Sequence, residues 1–179
     1  MLLLVFYFCV MRKEILRLAI PNILSNISVP LLGIVDLALM GHFESEVHIN
    51  AIAIGGVIFS FIYMGFGFLR MGTTGFTAQA FGQKNEKESI LIFSRSLLFA
   101  FVIAFFLLIS QELIILWGLK LLNSSAEVSF FARQYFNIRI FAAPATLGLY
   151  AITGWFIGRQ DTKTPLFLAL LINFSNLGF

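Results

Sequence analysis

The sequence predicts an all-α polytopic membrane protein of about five transmembrane helices, and three observations predict it. Apolar residues make up 59% of the 179-residue chain and charged residues only 12%, about half the roughly 25% of a typical soluble domain. The mean hydropathy of +0.93 is more than a globule of this size can hide, because only about 70% of its surface is buried on folding. The apolar residues also come in runs long enough for the roughly 20 residues that a spanning helix needs. Barrel strands are half that length and alternate. This composition excludes a soluble enzyme, a disordered tail and a disulfide scaffold. The lone Cys9 has no partner for an internal bridge.

Taken in order, the spans are expected at about 16–40, 50–81, 90–116, 128–158 and 164–179. Residues 1–11 form an apolar N-terminal extension or a mis-assigned start, since Met11 opens an ordinary Met-Arg-Lys-Glu beginning. A signal peptide would carry its charge before the apolar run, not after it. Residues 12–179 form one incomplete transmembrane lobe. The second span is longer than a bilayer requires, and its milder tail, 71–81, is expected to extend past the lipid core. The fifth stops after 16 residues without a charged flank. A helix ending within the bilayer leaves backbone groups unpaired in lipid, so the chain is expected to be part of a longer protein.

The loop charges set an orientation. Arg12, Lys13 and Arg17 precede the first span, and the next loop carries Glu44 and Glu46 without Lys or Arg. Lys84 and Lys87 follow the second span, with Arg95 just inside the third. Lys120 alone follows the third, and Arg159 and Lys163 follow the fourth. Positive charge alternates with loop number, which predicts a multi-pass protein of the inner (plasma) membrane with a cytoplasmic N-terminus. The net charge of +3 is spread thinly between apolar runs and not clustered in a stripe, so no nucleic-acid partner is expected.

Polar residues inside spans are costly and mark functional candidates. Asp36 is the sharpest, with apolar neighbours on both sides. An unpaired carboxylate there has a raised pKa or binds a cation; the competing reading is a charge reaching the outer interface. Pro21, Pro30 and Gly33 precede it and kink the same helix. Span four carries Arg133, Tyr135, Asn137, Arg139 and Pro144. Arg139 lies deep, whereas Glu112 matches the depth of Arg133 and is its expected partner. Asn173, Ser175 and Asn176 in span five read equally as helix–helix glue. Gly55, Gly56, Gly65, Gly67, Gly72 and Gly75 read as close packing of the second span. Arg70 is expected at the cytoplasmic interface, and the 22 phenylalanines are expected to face lipid. His42 and His48 fall short of the three or four ligands of a metal site. No phosphate loop, nucleophile elbow or paired intramembrane acid is present in the sequence, so no enzyme and no cofactor are expected.

Four stretches carry a resemblance. They are residues 16–36 (LRLAIPNILSNISVPLLGIVD) continuing through Met40 and Gly41 to His42, 68–82 (FLRMGTTGFTAQAFG), 138–145 (IRIFAAPA) and 154–165 (GWFIGRQDTKTP). In this order they resemble the N-terminal part of the multidrug and toxic compound extrusion (MATE) transporters, most closely the DinF-like branch, from about residue 12 onward. The resemblance implies a twelve-helix antiporter of two six-helix lobes that exports a small organic cation or amphipathic substrate from a lipid membrane against inward H+ or Na+. It implies that Asp36 binds the coupling ion, with Tyr135 and Asn176 beside it. The family pattern places another acid four residues after the asparagine, which falls at position 180, past the last residue here. The C-terminal lobe is the implied missing partner. Two other readings stand beside this one: a truncated or frameshifted remnant without transport, and a related flippase of lipid-linked or polysaccharide intermediates, toward which the deep Arg139 points.

Overall fold

The computed structural model describes residues 15–24, 27 and 46–177. Among the described residues the chain is helical apart from short turns, with no strand. The first helix, α1, is Ile15–Leu24. It is followed by α2 (Glu46–Gly65), α3 (Gly67–Gly82), α4 (Glu86–Ile109), α5 (Gln111–Leu121) and α6 (Ala126–Arg139). A short 3-10 turn at Ile140–Ala142 leads into α7 (Ala143–Gly158), and α8 is Lys163–Leu177. Asp36, Pro30, Gly33 and His42 lie outside the described residues.

Three helical stretches are long and apolar enough to cross a membrane: Glu46–Gly82, Glu86–Ile109 and Ala126–Gly158. The chain is a multi-pass membrane protein. Two features of these stretches depart from uninterrupted spans. The second expected span is broken at Phe66, where i→i+3 bonds tighten the backbone (Phe66 N to Tyr63 O, 3.2 Å; Leu69 N to Phe66 O, 3.0 Å). Gly65 and Gly67 flank the break and lower the cost of leaving the helix there. The fourth is broken at residues 140–142, just before Pro144 in the first turn of α7. Proline has no N–H to donate into the preceding turn, and its ring crowds the carbonyl four residues back.

The helix ends are set by local chemistry. Asn85 caps α4 by accepting from the Glu88 amide at 3.1 Å, and Ser125 caps α6 by accepting from Val128. Asp161 opens α8: Oδ1 accepts from the amides of Lys163 (3.1 Å) and Thr164 (3.2 Å), and Oδ2 accepts from the Thr164 hydroxyl at 2.6 Å. This holds its carboxyl below the usual carboxylate range, with the Thr164 hydroxyl bond the largest cause. After Gly82 and after Gly158 the chain turns through left-handed Lys84 (φ 54°) and Gln160 (φ 63°). Each turn closes with a bond five residues back, Asn85 N to Ala80 O and Asp161 N to Phe156 O, both 2.9 Å. This is the Schellman arrangement, here made without glycine at the left-handed position.

The long helices 46–82 and 126–158 run in the same direction, with α4 antiparallel to both. Near one end, α2 packs on α6; toward the other, α3, α4 and α7 pack as a triangle. Phe59, Phe136, Ile140, Leu147, Ala100 and Ala104 belong to the buried core that joins the two regions. Phe99, Phe101, Phe105 and Phe106 stay exposed on α4, as expected for lipid-facing residues. Phe59 and Phe136 depart from that expectation: both are buried and stack at 4.7 Å.

Among the described residues, the expected glycine packing of the second span is found at Gly55 alone: a Cβ added at Gly56, Gly65, Gly67, Gly72 or Gly75 would meet none of them within 4 Å. The glycines set tightly against another helix's backbone are on α7. A Cβ at Gly154 would lie 2.7 Å from the Arg70 carbonyl oxygen, and one at Gly158 2.6 Å from Thr77 Cβ and 2.7 Å from the Thr74 carbonyl. Their four-residue spacing puts both on one face, and α3 rests directly on that face.

Candidate functional site

Tyr135 lies on the face of α6 that meets α2. Its ring covers Gly55 so closely that an added Cβ there would fall 2.5 Å from Tyr135 Cδ1. Arg139, one turn further along α6, donates to the Tyr135 hydroxyl. The guanidinium also lies 5.4 Å from the Tyr135 ring centre and 5.2 Å from that of Phe59. Such cation–ring contacts hold a charge in apolar surroundings without a carboxylate. Tyr63 extends the aromatic row, its ring 5.8 Å from Phe59. Elsewhere on α6, about 160° around the helix from Arg139, the Asn137 side-chain oxygen is buried with no hydrogen-bond partner among the described residues. The face that meets α2 thus offers a phenol oxygen and a fixed cation against a greasy wall.

Of the three residues expected at the coupling site, Tyr135 alone has a described side chain. Asn176 falls in the last turn of α8, and its side chain, like the whole of Asp36, lies outside the described residues. The structure therefore fixes Tyr135 against α2 and leaves its relation to the other two as a matter for experiment.

The expected ion pair between Arg133 and Glu112 is present, joining α6 to α5 at a half-exposed position (47% and 49%). Arg70 has a partner that the sequence reading did not give it. It lies 12 residues before the end of α3, about 18 Å along the axis at ~1.5 Å per residue. There it is half-buried and donates to Asn22 of α1 at 3.1 Å. Sequence reading missed this pair; the signal was an arginine in an apolar run, set against the cost of charge at depth.

Arg159 is likewise more than a loop charge. It donates to Glu86 Oε2 at 2.6 Å and lies 4.7 Å from the centre of the Trp155 ring. Trp155 Nε1 donates to the Ser89 carbonyl at 3.0 Å. These contacts lock the ends of α4 and α7 together. His48 packs on Phe131 with ring centres 4.4 Å apart, and no metal-binding cluster of three or more ligands occurs among the described residues.

A bundle of long apolar helices with polar and charged side chains turned toward one another defines a polytopic membrane protein with an internal polar face. Residues 21–179 match the MatE family, and the chain belongs to it. It is 38% identical over 165 residues to DNA damage-inducible protein F of Escherichia coli, covering 92% of this chain and 36% of that protein. It is 24% identical over 170 residues to a probable multidrug resistance protein NorM of Thermotoga maritima (93% and 36%). It is 27% identical over 175 residues to the chloroplastic protein DETOXIFICATION 44 of Arabidopsis thaliana (91% and 33%). The chain thus spans about a third of the length of these relatives, and the resemblance read from the sequence, including its DinF-like character, holds.

Proposed function

We propose that this chain is the N-terminal part of a cation-coupled multidrug efflux antiporter, with residues 12–179 supplying most of one transmembrane lobe. The match to the MatE family across residues 21–179 carries this reading. In it Asp36, Tyr135 and Asn176 form the coupling-ion site, taking up H+ or Na+. The protein lies in the inner membrane with its N-terminus in the cytoplasm, as the loop charges favour. Its partners are membrane lipid, a C-terminal lobe and a small organic cation or amphipathic substrate.

The chemistry follows from a carboxylate held in low dielectric. Desolvation favours its neutral form, so proton or sodium binding neutralises a charge that is costly when bare. Neutralisation changes which partners the carboxylate prefers, and that change biases one packing of the lobe over another. Tyr135 supports the reading because its ring lies in the α2–α6 seam and its hydroxyl accepts from Arg139.

The test is cationic-dye export from everted vesicles containing the whole gene product that includes this chain, driven by a proton or a sodium gradient. Asp36→Asn is expected to cut gradient-driven export by more than tenfold, a loss of about 1.4 kcal/mol or more. Tyr135→Phe is expected to weaken export by only a few-fold, of order 1 kcal/mol for one hydroxyl bond. Wild-type export by Asp36→Asn overturns the coupling assignment.

A further inference from the structure

A groove of about 550 Å³ runs between α3 and α4, within the roughly 300–1,000 Å³ of small-molecule sites. Its character changes along its length. Near the 83–85 turn it is lined by Gln79, Gln83 and Glu88. Midway come Thr73, Arg95 and Ser96. At the far end the walls are Phe68, Leu69 and Phe99. Phe68, Phe76 and Phe99 expose 59–64% of their surface. Gly72 keeps the groove wide: it lines the wall, and a Cβ there would meet nothing within 4 Å among the described residues, so it would project into the groove.

We infer that this groove binds an anionic phospholipid, with one acyl chain along Phe76, Leu69 and Phe99 and the headgroup at Arg95 and Gln83. Three observations point to this occupant. The polar-to-apolar gradient runs along helices that cross the membrane, so it parallels the axis of a lipid. The groove walls are exposed on the side of α4 that carries the apolar outer face. The charge at the polar end is net cationic toward an incoming headgroup. Glu86 there is held by Arg159, and Glu88 faces Arg95 at 3.7 Å, with the Arg95 side chain 67% exposed. Lys84 and Lys87 have no carboxylate partner among the described residues. Basic side chains beside a groove between spanning helices attract anionic headgroups. A zwitterionic lipid satisfies the gradient but not the charge.

This inference rests on membrane residence alone and not on the transport reading, so its test uses no transport assay. The purified protein is reconstituted in liposomes containing phosphatidylglycerol or phosphatidylcholine with a diazirine on the acyl chain. Adducts are mapped by mass spectrometry. Adducts on 68–76 and 92–99 are expected about fivefold more often with phosphatidylglycerol, the factor for roughly one basic side chain near an anionic surface. Gly72→Leu is expected to reduce them to the level on the outer face at Phe101 and Phe105. Arg95→Gln is expected to keep the adducts and remove the headgroup preference. On the wild-type protein, excess unlabelled phosphatidylglycerol is expected to saturate groove labelling but not outer-face labelling, a readout that needs no variant. Equal labelling by the two lipids, or groove labelling that neither Gly72→Leu nor competition reduces, overturns the proposal.

Discussion

The α3–α7 and α2–α6 contacts join the same two long helices, yet they are built from opposite materials. At α3–α7 the backbones meet: Gly154 and Gly158 lie against the Arg70 and Thr74 carbonyls, with only Thr73 and Thr77 between them. At α2–α6 side chains do the joining, through Tyr135 on Gly55, Phe59 on Phe136 and Arg139 over both rings. Within a bilayer no hydrophobic force drives helices together, so both contacts depend on van der Waals fit and polar bonds. Backbone contact has one geometry and no slack. Aromatic and guanidinium contact has rotamers, so it tolerates adjustment and is the better place for a residue that must change partners.

That contrast breaks most sharply if the α7 glycines are filled. Gly154→Leu with Gly158→Leu places two side chains into carbonyls already within 3 Å of a Cβ. Overpacking against backbone exceeds the usual 1–3 kcal/mol cost, and the double variant is expected to yield no monodisperse protein on size exclusion in detergent. Next in size is Phe136→Ala, which empties the centre of the α2–α6 seam. A loss of about 3–4 kcal/mol is expected, read as a lowered thermal midpoint with the protein still folded at room temperature. If Phe136→Ala proves worse than the glycine pair, the seam with rotamers is the rigid one and the comparison is reversed.

A smaller effect sharpens it. Gly55→Ala drives a methyl into the Tyr135 ring, but the ring can swing, so a cost of about 1 kcal/mol is expected. Adding Tyr135→Ala is expected to cancel part of that cost, giving a coupling energy of about 0.5–1 kcal/mol in a double-mutant cycle. Gly56→Ala, next to it but with no described residue within 4 Å of the added Cβ, is expected to stay within about 0.5 kcal/mol of wild type. The smallest effect lies outside both seams. The carboxyl of Asp161 titrates below its ordinary value, so its contribution is complete above about pH 4 and is lost as pH falls through its lowered pKa. Amide-exchange protection at Lys163 and Thr164 is expected to be the same at pH 7 and pH 5 and weaker at pH 3, with α3 and α7 unchanged.

The three long stretches that cover most of the second, third and fourth expected spans were legible because length and apolarity are one-dimensional properties. The break at Phe66 was not, since apolarity runs through it without pause; only the flanking Gly65 and Gly67 hinted at it. The glycines misled for a physical reason. Six of them in the second span suggested packing, but a helical glycine matters only when another backbone reaches it, and that depends on a partner far away in sequence. The spacing of Gly154 and Gly158 was visible, and α3 is what gave it meaning. The Arg133–Glu112 pair was readable from matched depth. The partner of Arg70 was not readable, because Asn22 lies 48 residues away in sequence and on another helix. For the site, Tyr135 was reached by resemblance, whereas its contacts with Gly55, Phe59 and Arg139 required the fold. The buried oxygen of Asn137 was not legible, because burial depends on what packs over it.

The breaks at Phe66 and at residues 140–142 sit at neighbouring levels of the two long helices, and they give the molecule leverage. Beyond its break α6 is 14 residues long, about 21 Å at ~1.5 Å per residue. A tilt of roughly 10° at the joint carries its far tip nearly 4 Å, over half the helix pitch of about 5.4 Å. The α3–α7 seam, below the joint, feels almost none of that displacement. The joint is then the fulcrum, the glycine contact the anchor, and the half of the lobe holding Tyr135 and Arg139 the arm that swings.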